Sequence, residues 1–365
     1  MVNKERNYGI DALRMLSMFM VIVLHILGRG GVLQATRGRL PNYIVGLFLE
    51  IAAYCAVNCY AIISGYVGYG RKIRYSNLIY LVFCTIYYII GLTIIGYFLV
   101  PNANLKDVMN SLLHIRNGGY WYVKSYFCAF FFFPHINLIV EKYDQKRLYI
   151  LAGGIFILFS VIPTLVKSDV FFTNYGYSPL WLMLMYFFGA VIKKHDTVSS
   201  DTKKHKYLIL YMTMVVVTLL SKLCIAFITQ KLFGRAILSN LLISYISPTI
   251  VLSGVFMVKF FTKVNLNKLT TKVVSIMSPL AFGVYLIHTQ YFIWNYWENR
   301  FKDFAYMNPL LLFISVILMA FAIYLICSFI DYIRHSVFKM LKIKELSEQV
   351  EKKLFTAIDN IITKK

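Results

Sequence analysis

The stretch "IDALRMLSMFMVIVLHILG", residues 10 to 28, decides the fold, because it is apolar enough to cross a bilayer yet carries Arg14 near one end and His25 near the other. An ionisable side chain inside hydrocarbon costs about 3 kcal/mol or more, so both are expected to face a protein interior and to serve a function. The two residues are eleven positions apart. On a helix of 3.6 residues per turn that is about 20° from perfect alignment and about 16 Å along the axis. They therefore share a face, and the expectation is that both line one interior cavity. The competing reading is a snorkelling arginine and a hydrogen-bonded core histidine.

Working outward from this helix, composition sets the class. The chain of 365 residues is 59% hydrophobic, 17% aromatic and 15% charged, whereas a soluble domain carries about a quarter charged residues. It reads as an all-α polytopic membrane helix bundle. Apolar runs of about 17 to 25 residues fall near residues 9 to 28, 42 to 67, 76 to 100, 120 to 140, 148 to 166, 179 to 192, 207 to 229, 239 to 261, 274 to 297 and 308 to 333, predicting ten spans. Runs of this length suit helices, not the shorter alternating strands of a barrel.

An even number of spans puts both termini on one side. Lys4 and Arg6, the loops "GRKIR", "EKYDQKR", "KKHDTVSSDTKKHK" and "KFFTKVNLNKLTTK", and the tail carry about 25 of the 38 Lys and Arg, so these segments are expected to be cytoplasmic. The net charge of +22 is thereby read as topology and contact with anionic membrane lipids. Nucleic-acid binding is not expected, since the basic residues are dispersed over separate short loops. All six cysteines, Cys55, Cys59, Cys84, Cys128, Cys224 and Cys327, fall within predicted spans and lack His or carboxylate partners at ligand spacing, so no metal is expected.

The first apolar run is too long for a cleavable signal peptide and is followed by further spans. Two regions are expected: a membrane domain over 1–338 and a cytoplasmic tail helix over 339–365. In the tail, Leu346, Val350, Leu354, Ile358 and Ile361 share a face opposite the charges, for the inner membrane surface or for packing on a partner.

Four stretches in order resemble the acyltransferase type 3 family of membrane acyltransferases. "GIDALR" with Arg14, ten intervening residues and His25 is similar to the family's opening helix. "NCYAIISGYVGYGRKIR" resembles its Ser-Gly-aromatic helix end and Arg-x-x-Arg pair, here Ser64, Gly65, Tyr66, Arg71 and Arg74. "YWYVKSYFCAFFFFP" resembles its Trp-aromatic helix start, with Trp121, Tyr122, Tyr126 and Pro134, and "SPLAFGVYLIHTQ" resembles its late Tyr-x-x-His segment, with Tyr285 and His288. One departure is visible: Asn58 stands where many members carry an acid.

The resemblance implies transfer of an acyl group, usually acetyl, from cytoplasmic acyl-coenzyme A to a hydroxyl of a glycan or lipid-linked sugar. A sugar hydroxyl needs a base, and the imidazole of His25 suits neutral pH. Arg71, Lys72 and Arg74 are expected to hold the nucleotide phosphates of acetyl-coenzyme A, beside Ser64, Gly65 and Tyr66 whose backbone a ligand approaches. Ordinary positive-inside charge is the alternative for that loop. Arg14 is open between the pyrophosphate, the donor's arm and developing negative charge. Trp121 and Tyr122 suit either an interfacial belt or stacking on a sugar ring. His288, after Tyr285, either hydrogen-bonds the catalytic group or satisfies a neighbour, and Glu50 is a lone intramembrane acid able to orient His25.

No nucleophile elbow, Walker loop, His-Glu-x-x-His pair or dinucleotide fingerprint is present in the sequence, and an appended hydrolase-like domain is not expected. Intramembrane Arg and His also mark transport paths, so a transporter is the main alternative, followed by a noncatalytic sensory or assembly domain on the same scaffold. Against a transporter, no inverted repeat with paired broken helices stands out. A bacterial cell membrane is the expected location, and a homo-oligomer stays open.

Overall fold

A computed structural model describes residues 6–195 and 204–363, all helices and connecting turns with no strand among the described residues. The basic loop over 193–206 lies largely outside them. Seven helices are long and apolar enough to cross a membrane, and eight if the bent pair Trp121–Phe130 and Phe133–Lys142 is one span. The helices Pro179–His195, of 17 residues, and Pro248–Phe261, of 14, cover two further expected spans but are shorter than the others.

Several expected spans are interrupted, each for a local reason. The run over 42 to 67 is two helices, Leu40–Ala53 and Ala56–Gly68, with a tightened turn in which Tyr54 N–H bonds to Ile51 O. The run over 120 to 140 bends by 54°, because Pro134 supplies no N–H for the carbonyl four residues back. Helix Gln145–Phe156 widens into a π-turn over Ile157–Val161 just before Pro163, whose ring needs that room. The expected span 239 to 261 is helical only from Pro248, and that over 274 to 297 is divided among Lys268–Met277, Ala281–His288 and Tyr291–Tyr296.

The first helix, Tyr8–Leu27, is the hub. It packs on Leu40–Ala53, Ala56–Gly68, Pro248–Phe261, Lys268–Met277, Ala281–His288 and the long helix Pro309–Met340. Its neighbour Ala56–Gly68 meets Pro179–His195 at backbone contact: a Cβ on Gly65 would stand 1.9 Å from Tyr186 O, and one on Gly189 1.9 Å from Ile62 O. Such small-residue seams let membrane helices approach closely. Gly65 therefore serves helix packing.

The chain breaks at Lys342, in the left-handed region at φ +53°, and continues as the tail helix Ile343–Thr363. That helix packs along Tyr75–Leu99. Its Glu351 carboxylate accepts from Tyr75 N–H at 2.8 Å, capping the start of that helix.

Candidate active site

Helix Ala281–His288 ends against the first helix, and its last turn is held from outside. The Tyr120 hydroxyl donates to Leu286 O at 2.5 Å and the His114 Nε2–H to Thr289 O at 2.8 Å. These bonds occupy carbonyls that a helix C-terminus leaves without partners. The turn so fixed presents His288, 1% exposed, to His25.

His25 Nδ1 lies 3.0 Å from His288 Nε2, and His288 Nδ1 lies 2.6 Å from Val284 O. A carbonyl only accepts, so His288 carries its proton on Nδ1. In neutral His288, Nε2 is then the acceptor, and the proton between the rings belongs to His25 Nδ1. The chain of bonds leaves the His25 Nε2 lone pair free of the relay. Trp294 packs edge-on against His25 with centroids 4.8 Å apart, and Trp297 lies 5.7 Å from His288. Both ring planes are thereby fixed. The partner that orients His25 is thus His288, whereas Glu50 lies within the electrostatic reach of Lys222.

His25 lines a cavity of about 40 Å³ together with Tyr60, Trp121, Tyr122, Tyr245 and Tyr285, among apolar side chains. Trp121 packs at 4.5 Å from Tyr177 and near-parallel to Tyr245 at 6.4 Å. At the other end of the first helix a larger pocket, about 350 Å³, is lined by Arg6, Asp11, Arg14, Tyr66, Arg71 and Lys193, among others. Arg14 donates to Asp11 Oδ1 at 2.8 Å and Ser278 Oγ at 3.3 Å, and Asp11 also pairs with Arg6. Five cationic or acidic groups in this mouth sum to a positive site, with Asp11 the one acid named among its lining residues.

The cavity expected to be continuous is two pockets that share no lining residue. A layer of phenol rings separates them: Tyr60 and Tyr122 have centroids 6.2 Å apart, and Tyr126 stacks on Tyr122 at 6.0 Å. Ser64 belongs to this layer, bonding to Tyr60 O at 3.0 Å and to Tyr126. Of the loop cations, Arg71 lines the mouth, and Lys72 does not. Arg74 is turned to the tail, its guanidinium 3.9 Å from Glu348. A contact across 274 positions leaves no trace in local spacing.

One ion pair has no counterpart among the expectations from sequence. Asp331 and Arg334 form a bidentate pair at 2.9 and 2.7 Å, both buried, with Tyr88 donating to Asp331 at 2.6 Å and Arg334 donating to Tyr80 at 2.8 Å. An acid and a base three apart at the end of an apolar run was the available signal. Gly283 makes room for the pair, since a Cβ there would stand 2.0 Å from the Asp331 carboxyl. Asn58 explains the family departure locally: its amide donates to Tyr245 O at 2.8 Å and accepts from the Trp181 indole at 2.9 Å. A carboxylate accepts only, and could not hold Tyr245 O.

A helix bundle with membrane-crossing helices and a buried pair of hydrogen-bonded histidines beside a cavity defines a polytopic membrane protein. The family model of the acyltransferase domain matches residues 7–329, and the chain belongs to that acyltransferase type 3 family. It is a membrane acyltransferase. No curated protein and no solved structure matches it.

Proposed function

We propose that the protein moves an acetyl group from acetyl-coenzyme A to a hydroxyl of a cell-surface or lipid-linked glycan, with His25 as the general base. The observation that carries this reading is the relay Val284 O, His288, His25, which leaves His25 Nε2 as a fixed, neutral acceptor beside a cavity. Such an acceptor is what a sugar hydroxyl needs as it attacks a thioester.

The donor's phosphates sit in the cationic mouth, on Arg71, Arg14 and Lys193, where guanidinium forks match phosphate oxygens. The mouth faces the cytoplasm, the side that the basic loops mark. The thioester arm runs along the first helix as far as the phenol layer, which stands between the mouth and His25. Trp121, Tyr177 and Tyr245 offer aromatic faces to a sugar ring on the far side. Donor and acceptor then meet within the bundle, and coenzyme A need not cross. The location is a cell membrane, bacterial in this reading. Mass spectrometry of surface glycans from cells with and without the gene tests the proposal: loss of acetyl groups is expected, and unchanged acetylation counts against it.

A further inference from the structure

Two hydroxyls in the candidate site lack any use so far. Tyr60 Oη and Tyr122 Oη are buried and have no hydrogen-bond partner among the described residues. A buried donor left unpaired is costly, and in a native protein it calls for an explanation. Both rings line the cavity that holds His25. Packing fixes them: Tyr122 stacks on Tyr126 and meets Tyr285 edge-on at 6.4 Å, while Tyr60 and Tyr122 meet at 70°.

The surroundings are suited to an anion that exists briefly. Met18, Val21, Leu24, Val57 and Phe282 make the rest of the wall mostly apolar, so a hydrogen bond to developing charge is strong there. Arg14 adds positive potential at both phenols. A volume of about 40 Å³ admits a small group such as a carbonyl, given that one water needs about 10–15 Å³.

We infer that Tyr60 and Tyr122 donate their hydroxyls to the carbonyl oxygen of the acyl donor and stabilise the oxyanion formed on attack. The inference rests on the reading of His25 as base. The acceptor oxygen bonds to the carbonyl carbon as its proton passes to His25 Nε2, and the C=O π pair moves onto the oxygen held by the two phenols. The oxyanion then collapses, the C–S bond breaks, and the departing coenzyme A thiolate takes the proton from His25. Atoms and charge balance without a metal or a redox partner.

The test uses the purified full-length chain in lipid nanodiscs, with acetyl-coenzyme A as donor and the lipid-linked glycan fraction of the producing cells as acceptor. Tyr60→Phe and Tyr122→Phe keep the rings and remove the donors. Each should lower kcat about 30-fold or more and leave the KM for acetyl-coenzyme A within about twofold, because the bond forms only in the transition state. A double variant with kcat near wild type, while His25→Ala is inactive, overturns the oxyanion assignment and leaves the base in place. A rise confined to KM overturns it too. Wild-type turnover in His25→Ala removes the base reading itself. Fluorotyrosine at either position retains shape and hydroxyl but strengthens the donor, so kcat should change with KM unmoved, and an unchanged kcat contradicts the proposal even if the Phe variants fail to fold.

Discussion

His25 Nδ1 stands 3.0 Å from His288 Nε2, across 263 positions of chain. The bond holds His25 in the tautomer whose Nε2 is an acceptor, so the tautomer of His25 depends on a residue of another helix. His288→Ala should leave the protein folded and lower acetyl transfer about 10- to 100-fold, since removal of an orienting partner allows the wrong tautomer. Transfer at the wild-type rate in this variant would show that His288 merely fills space.

The cations near the mouth should separate in effect. Arg71 lines the pocket and Arg74 lies against Glu348. Arg71→Gln is expected to raise the KM for acetyl-coenzyme A about tenfold with little change in kcat, as contacts made equally in ground and transition states affect binding. Arg74→Gln should change KM by less than about threefold. Kinetics showing the reverse order would move the phosphate site from Arg71 to Arg74.

Arg14 makes two directed bonds, to Asp11 and Ser278, and lines the pocket. Arg14→Lys keeps the charge and loses the planar fork. Turnover should drop about tenfold or more at equal protein level, and full activity would mean that charge without geometry suffices.

Stability should depend on the buried pair Asp331–Arg334. Asp331→Ala leaves a buried guanidinium without its carboxylate, a loss of about 3–5 kcal/mol. Replacing both partners by Leu should recover much of that, because an apolar pair of similar volume replaces an ion pair at little cost. Gly283→Ala should destabilise as well, since its Cβ meets the carboxyl. Thermal unfolding of the purified variants checks the order: single substitutions lowest, the double one between them and wild type.

The helical class and the Arg14 and His25 face were legible because both follow from apolar run length and from a spacing within one helix. A break such as that at Tyr54 was not, since apolar composition is the same on either side of it. The partner of His25 was narrowed to His288 or Glu50 without being chosen, because only packing of the Ala281–His288 helix decides it. The separation of the two pockets and the turn of Arg74 toward Glu348 depend on side chains distant in sequence. The amphipathic pattern of the tail is plain in the sequence, and its partner is not: the tail packs on Tyr75–Leu99 with Leu354 and Ile358 in an apolar groove shared with Tyr75, Leu78 and Phe131.

The most direct measurement is release of coenzyme A coupled to acetylation of the glycan fraction, by the purified protein and by His25→Ala in the same membrane mimic. Wild type should acetylate the acceptor, and His25→Ala, present at equal level and with an unchanged unfolding midpoint, should be slower by about a hundredfold or more. Equal rates for the two proteins, or no donor turnover by either, would contradict the account.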